Sequence, residues 1–389
     1  MGLTGGYFLA AVIGAVVALP VATVLLWNRL RGPRPVRGAQ RFGLILVCQS
    51  TAVLLAALLI NNSFQLYTSW SDLFGWNGAP GQIEGAAKPL ALTTGAAQTG
   101  QPTGDRALPN AALFHPYHGV ANAFETTITG AQSKVTGTVL VSLPPQYYQP
   151  RYAHTYFPVV QLFSGFPGSP QTWLSSMEAP SILSQAVDNR AAQPMILVSA
   201  SINVDPPHNA DCSNIPGGPQ VATWLSQDVR QLVETSYRTA TDRTGWGLMG
   251  FSEGGLCASK LALQYPDEFI AGVSMSGDDH PGGDLLGFGT TAYNLNAPLW
   301  ILQHQPPKPV ALLLTGTLQD GATAQEADAM RAAVKAPTTI SLLISPRGGH
   351  NIGVWKAIEP EAFGWLSGYL QATTIGNMQV APQLLDGTK

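Results

Sequence analysis

The hydrophobic pattern divides the chain into two unlike parts. Tyr7 to Trp27 is a run of 21 residues without a charge, long enough to cross a bilayer core as one helix. Gly43 to Ile60 adds 18 more, interrupted only by the mildly polar Gln49, Ser50 and Thr51, and reads as a second span. Arg29, Arg31, Arg34, Arg37 and Arg41 fall around the junction of the two runs with no acid among them. The positive-inside rule places this short basic loop in the cytoplasm, with the N-terminus and everything after Ile60 outside. Tyr7, Phe8, Trp27, Phe42, Phe64, Tyr67 and Trp70 flank the runs where interfacial rings sit. A cleaved secretory signal is the competing reading. The first run carries its charges on the wrong side for one, and the second lacks a small-residue exit. Pro20 reads as a kink in the first span.

Past residue 74 the pattern changes. Residues 75–110 are rich in Gly, Ala, Pro, Thr and Gln with no apolar period, which predicts a flexible tether. It would join a membrane anchor over 1–74, with spans near 7–27 and 43–60, to a domain over 111–375 that ends in a tail over 376–389. No repeat of solenoid length is present. Within the domain, strand, loop and helix alternate, which predicts an α/β layer fold. The expected strands are Gly137–Ser142, Phe157–Phe163, Met195–Ser199, Gly245–Met249, Phe269–Ser274, Pro309–Leu314 and Thr339–Ser345. Helical spacing marks Val221–Glu234, Glu253–Tyr265 and Ala324–Val334.

Composition narrows the class. Charged residues make up 11% of 389, against about 25% in an ordinary soluble domain. Residues 75–389 hold 15 basic and 22 acidic side chains, so the shortage extends beyond the spans. A net charge of −3 excludes a strongly basic nucleic-acid binder. A 45% hydrophobic content with 41 Gly and 30 Pro excludes a charge-rich disordered chain and a coiled coil.

The most informative string is Gly250-Phe251-Ser252-Glu253-Gly254, a G-x-S-x-G between an expected strand and an expected helix. That context is what a nucleophile elbow requires: a tight strained turn presents the serine hydroxyl above the sheet edge, and small neighbours let strand and helix approach. Ser252 is the candidate nucleophile. A hydrolase of this order supplies an acid and then a histidine further along. Of seven histidines only His304 and His350 lie far enough beyond Ser252. His350 follows a clean apolar strand through Arg347-Gly348-Gly349 and is the candidate base; His304 sits in a Gln- and Pro-rich loop and reads as structural. Asp320, just past the strand Pro309–Leu314, is the candidate acid. Glu326 and Asp328 also lie nearby, at the start of a helix where acids are ordinarily favoured.

Cys48 falls in the second span, leaving Cys212 in a loop and Cys257 on the helix after Ser252. Outside the cytoplasm a disulfide is permitted, and loops after neighbouring strands converge near the nucleophile, so a Cys212–Cys257 pair is expected, with two unpaired thiols as the alternative. His115-x-x-His118 and His208-x-x-Asp211-Cys212 lack further ligands, and no metal or cofactor is expected. Asp278-Asp279-His280 reads as a turn.

Several strings in order carry a resemblance: Leu143-Pro144-Pro145-Gln146-Tyr147, then FPVVQLFSGFPGSPQTW, GLMGFSEGG and GGHNIGVWKAIEPEAFGWL. Across roughly residues 115 to 375 the chain resembles the Putative esterase family of α/β-hydrolases, which includes esterase D (S-formylglutathione hydrolase) and the antigen 85 mycolyltransferases. A membrane-spanning N-terminus joined to such a domain also resembles actinobacterial envelope proteins. The resemblance implies an α/β-hydrolase fold with a mostly parallel central sheet, preceded here by two transmembrane helices. It further implies an oxyanion hole formed by the backbone N–H groups of Phe166 and Glu253. The chain departs from relatives in having Ser164-Gly165 where many esterases have His-Gly, and Asp320 where the mycolyltransferases have Glu. Trp173 and Trp355 match recurrent tryptophans of the family, with packing as the expected role.

These readings lead to an outward-facing serine esterase held in the plasma membrane by two spans. Its partners would be the bilayer and an ester substrate, including a lipid or glycolipid, and no nucleic acid. The alternatives are an acyltransferase that moves an acyl chain to a sugar or lipid alcohol, and a catalytically silent envelope-binding protein on the same scaffold.

Overall fold

The strands of the C-terminal domain are apolar at nearly every position because both faces of their sheet are covered. Successive residues alternate between two cores. Val139 and Val141, Val159 and Phe163, and Leu312 and Leu314 face one; Leu140, Val160, Leu162 and Leu313 face the other. A computed structural model describes residues 2–64, 66–75, 81–85, 107–205, 209–282, 285 and 287–374.

The strands are β1 (His115–Pro116), β2 (Ala123–Thr129), β3 (Thr136–Ser142), β4 (Thr155–Tyr156), β5 (Val159–Phe163), β6 (Ile196–Ala200), β7 (Trp246–Phe251), β8 (Ala271–Met275), β9 (Ala311–Thr317), β10 (Thr339–Ser345) and β11 (Thr373–Thr374). Nine of them form one sheet in the order β1-β2-β3-β6-β5-β7-β8-β9-β10. From β6 to β10 the pairing is parallel, and β1, β2 and β3 extend that edge antiparallel. One face is covered by the helical segment 221–234, which is π-helical over Trp224–Asp228, and by a helix over Glu253–Gln264. Helices Ala179–Asp188 and Ile352–Ser367 cover the other. In a parallel sheet the loops leaving the C-terminal strand ends converge, and Ser252, Asp320 and His350 all follow such ends, after β7, β9 and β10.

The helices used below are α1 (Gly6–Leu26), α2 (Arg34–Phe64), α3 (Trp70–Leu73), α4 (Ala179–Asp188), α5 (Glu253–Gln264), α6 (Thr323–Ala333) and α7 (Ile352–Ser367). α1 and α2 are each long and apolar enough to cross a membrane. They pack as an antiparallel hairpin. At one end the Arg41 guanidinium lies 4.8 Å over the Trp27 ring and donates to the Trp27 carbonyl. At the other, Leu3, Val12 and Leu58 pack with Tyr67, and Phe8 meets Trp70 edge-on at 5.5 Å. The basic connection and the C-terminal domain therefore occupy opposite ends of the hairpin. Arg34, Arg37 and Arg41 belong to α2 and not to a loop: Gly32, with φ at +122°, and Pro33 complete the turn, and the Arg, Gln and Ala residues that follow are good helix formers.

Within the stretch 75–110, expected to be a flexible tether, some of the described residues lie against the domain. Residues 81–85 lie along the outer edge of β10. The Glu84 N–H donates to Leu342 O at 2.7 Å, the Leu342 N–H returns a bond to Glu84 O at 3.0 Å, and the Ser341 hydroxyl donates to Gly85 O. The physical reason is that β10 ends the sheet, and an open strand edge leaves backbone groups that any nearby extended segment can pair. Asn110 is likewise held, through its N–H and side-chain amide, to the Thr235 carbonyl and hydroxyl. The remainder of that stretch (76–80 and 86–106), the tail over 376–389 and His208 lie outside the described residues. In hydrogen-exchange measurements the Glu84 and Leu342 amides are expected to exchange at least about a hundredfold more slowly than an unstructured linker; free exchange at Glu84 would refute the edge pairing.

Candidate active site

Ser252 joins β7 to α5 with φ at +56° and ψ at −129°, a conformation that costs a non-glycine residue about 1–3 kcal/mol and persists only where its surroundings impose it. The surroundings are two close approaches. A Cβ on Gly250 would lie 2.0 Å from Gly254 O, and one on Gly254 would lie 2.1 Å from Phe163 O. Only glycine at both positions lets β5, β7 and α5 meet this tightly. The Ser252 N–H is fixed to Met275 O at 2.8 Å, and its carbonyl accepts from Gly255 N at 2.8 Å to start the helix.

The structure brings Ser252, His350 and Asp320 into one line. Ser252 Oγ lies 2.8 Å from His350 Nε2, and His350 Nδ1 lies 3.0 and 3.1 Å from the two Asp320 carboxylate oxygens. Asp320 is buried and His350 partly open. The two supporting loops are tied together: Leu318 N–H donates to Ser345 O at 3.0 Å, the Thr317 hydroxyl to Gly348 O, and Gly348 N–H to Gln319 Oε1 at 3.1 Å. Such a relay can take a proton from a hydroxyl and hold the resulting imidazolium. Neither rival acid is in this line. Glu326 accepts from the Asp279 N–H at 3.2 Å, and Asp328 is exposed on α6. His304 stacks on Trp300 at 4.6 Å, and His115 sits on the edge strand β1 facing Glu125.

The aromatic residues do more than fill space. Trp355 stacks on Phe251 at 4.7 Å and meets His350 in a T-shaped contact at 4.8 Å, while the buried Trp173 packs on Phe251 at 5.3 Å. The imidazole is thus held by a ring as well as by a carboxylate. The loop after β5 approaches from the opposite side, with a Gly165 Cβ position only 3.0 Å from Ser252 Cβ. It is braced by Gly168 N–H to Gly165 O at 2.7 Å, the Ser164 hydroxyl to Ser169 O at 2.7 Å, and Asn203 Nδ2 to Gly168 O at 2.9 Å. Phe166 follows Gly165 and is joined to Pro167 by a cis bond. Glu253, first residue of α5, has a backbone N–H with no acceptor inside its own helix.

Behind the serine lies a buried ionisable group of three. Burial pushes the Glu253 carboxyl up to about 8; Asp211 adds to the shift, and Lys260 and Asn209 oppose it. Burial pulls the Lys260 ammonium down against the attraction of Asp211 and Glu253. Its Nζ donates to Asp211 O and, at 2.7 Å, to the Ser213 hydroxyl. Cys212 is disulfide-bonded to Cys257, with Cα atoms 5.6 Å apart, so the long loop after β6 is clamped to α5 twice. That loop also forms most of an open, largely apolar cavity of about 310 Å³ lined by Val204, Asn209, Ile215, Pro216 and Phe288. A larger cavity of about 500 Å³, lined by Ser142, Leu143, Met195 and Leu197, lies by the N-terminal end of β6, at the far side of the sheet from Ser252.

Asp279, His280 and Glu326 bring ligand-type atoms within 4.8 Å of one another, but these atoms already serve the Asp279–His280 contact at 2.6 Å and the bond from the Asp279 N–H to Glu326. Asp278, read from the sequence as capping or turning the chain with Asp279 and His280, lies just past β8 and is exposed.

Comparison with known proteins gives a consistent picture. The family model described as Putative esterase matches residues 132–339. An uncharacterised protein of Corynebacterium glutamicum is 29% identical over 147 residues, covering 36% of this chain and 32% of that protein. Feruloyl esterase B of Thermothelomyces thermophilus is 29% identical over 171 residues, covering 42% and 55%. The chain thus spans about a third and about half the length of these curated relatives. Among solved structures, an S-formylglutathione hydrolase from Agrobacterium tumefaciens superposes with a TM-score of 0.56 at 15% identity, covering 66% of this chain and 98% of that one. A ferulic acid esterase superposes with a TM-score of 0.53 at 19% identity, covering 63% and 97%. At these identities the likeness shows the fold, which is that of the α/β-hydrolases.

The Glu253 environment has a measurable consequence. From its ordinary value of 4.5 up to about 8, the folded protein keeps a proton that the unfolded chain has lost, so this group lowers stability progressively as pH rises through that window. Glu253→Gln removes the titration. Its Tm is expected to match the wild type near pH 5 and to exceed it by about a few degrees near pH 8.5; a difference independent of pH would refute the assignment.

Proposed function

Since the chain belongs to the Putative esterase family, we propose that it is a serine esterase held in a membrane by its N-terminal hairpin, with the hydrolase domain on the side away from the arginine-rich turn. The observation that carries the catalytic reading is the 2.8 Å contact of Ser252 Oγ with His350 Nε2, continued from Nδ1 to Asp320. In the first half-reaction His350 Nε2 takes the hydroxyl proton as Ser252 Oγ bonds to the ester carbonyl carbon. Asp320 holds the tautomer and stabilises the imidazolium. The developing oxyanion is received by the N–H groups of Phe166 and Glu253. Collapse breaks the bond to the alcohol, which leaves with the proton from His350, and an acyl group remains on Ser252. Water then attacks with His350 as base, the acid is released and Ser252 regains its proton.

The largely apolar cavity formed by the loop clamped to α5, with Asp205 as its one acid, would take an acyl or aromatic portion of the substrate. The membrane reading is supported by the lengths and apolarity of α1 and α2 and by the grouping of five arginines at the end of the hairpin remote from the domain.

Because residues 66–75 and 81–85 pack on the hydrolase domain, the test uses the full chain. In detergent, Ser252→Ala is expected to abolish fluorophosphonate labelling, and Ser252→Ala, His350→Ala and Asp320→Asn each to lower turnover of a short-chain chromogenic ester by at least about a thousandfold. Undiminished turnover in Ser252→Ala would sink the reading, and product analysis with a sugar acceptor present separates hydrolysis from acyl transfer. For the anchor, the expected result is retention of the chain in the membrane fraction through alkaline carbonate extraction; release into the supernatant would reject the spans.

A further inference from the structure

The loop that carries His350 is gripped by a residue from the other end of the chain. Asp72, in the short helix α3, is 3% exposed and belongs to the segment that leaves the N-terminal hairpin. Its Oδ2 accepts from the Gly349 N–H at 2.9 Å and from the Thr68 N–H at 2.9 Å. Its Oδ1 accepts from Asn351 Nδ2 at 3.1 Å. Gly349 and Asn351 are the residues on either side of His350. Asn351 is itself the N-cap of α7, accepting from Val354 N at 3.1 Å, and its amide also donates to Leu66 O at 2.8 Å. The same segment reaches the loop of Asp320, where the Thr68 hydroxyl donates to Gln319 Oε1 at 2.9 Å.

A buried carboxylate accepting several N–H bonds makes some of the strongest hydrogen bonds a protein has, and removing it strands each donor. Asp320 orients the imidazole, whereas Asp72 fixes the backbone from which the imidazole hangs. A turn containing Gly348 and Gly349 has little stiffness of its own, since glycine is free to populate many conformations.

We propose that Asp72 is a positioning residue of the esterase: it clamps the chain on both sides of His350, so that Nε2 stays within hydrogen-bond reach of Ser252, and it makes this geometry depend on the segment that emerges from α2. The proposal rests on the reading of Ser252 and His350 as nucleophile and base. Asp72 does not bear on the substrate pocket, so its loss acts on kcat and not on KM, and small misplacements of a catalytic group cost up to about a hundredfold.

The test compares Asp72→Ala, Asp72→Asn and Ser71→Ala with the wild type, each as the full chain in detergent. Three quantities are read: the rate of fluorophosphonate labelling at Ser252, the kcat and KM for a chromogenic ester, and the Tm. Asp72→Ala is expected to lower both the labelling rate and kcat by about ten- to a hundredfold with KM within about twofold. Asp72→Asn, which keeps an acceptor oxygen for one of the flanking donors, is expected to recover part of that loss, and Ser71→Ala, which touches neither flank, to match the wild type. Should Asp72→Ala fail to fold, the nearly isosteric Asp72→Asn still reports a loss of kcat. Labelling and kcat within about twofold of wild type in both Asp72 variants would overturn the proposal, as would a loss carried by KM or an equal loss in Ser71→Ala. A wild-type chain unlabelled at Ser252 would instead overturn the serine-hydrolase reading beneath it.

Discussion

The site depends on how closely three backbone segments approach one another under Ser252. With β5, β7 and the first turn of α5 separated by no more than a glycine's width at Gly250 and Gly254, the connecting residue has no room for an ordinary strand-to-helix turn and is forced to positive φ. Several features follow from that one constraint. The hydroxyl is lifted out of the sheet toward His350, and the free N–H groups at the start of α5 are turned to the same side. The Glu253 side chain, next in line, is driven inward to a place where its charge is poorly tolerated.

The interior behind the serine shows what it takes to hold such a turn with few charges. Glu253, Lys260 and Asp211 share a buried space, and the environment favours neutral forms of the first two. Around them the fixed connections are covalent or backbone-directed: the Cys212–Cys257 bond, Lys260 to the Asp211 carbonyl, and the Gly282 N–H to Asp211 Oδ2 at 3.0 Å. In a chain with 11% charged residues, rigidity near the site comes from these links and from the rings packed on Phe251 more than from ion pairs.

Much of the domain was legible in the sequence because its strands are buried on both faces and its crossover helices are amphipathic, so continuous apolar runs alternate with helical periods from Gly137 to Ser345. The order of Ser252, Asp320 and His350 could be read because each follows an apolar strand. β2 escaped because Ala123–Thr129 sits near the sheet edge, with half-exposed Glu and Thr residues that leave no apolar run. Residues 81–85 escaped for a different reason: pairing with an edge strand uses backbone groups, which every sequence possesses, and so leaves no mark in composition. Asp72 and Asn351 are 279 residues apart, and nothing local distinguishes an aspartate that will meet a distant loop from one that merely sits in the first turn of a short helix, as Asp72 also does.

The Asp72 contact also sets a working radius. Asp72 lies eight residues after Phe64, where α2 ends, and eight residues of even fully extended chain reach about 28 Å. The real path is shorter, because α3 folds back and Trp70 packs on Phe8 at the start of α1. On the proposed membrane arrangement, this short connection limits how far the loop that carries His350 can stand from the outer end of α2. A site tethered in this way would favour an ester seated in the bilayer over one on a distant polymer.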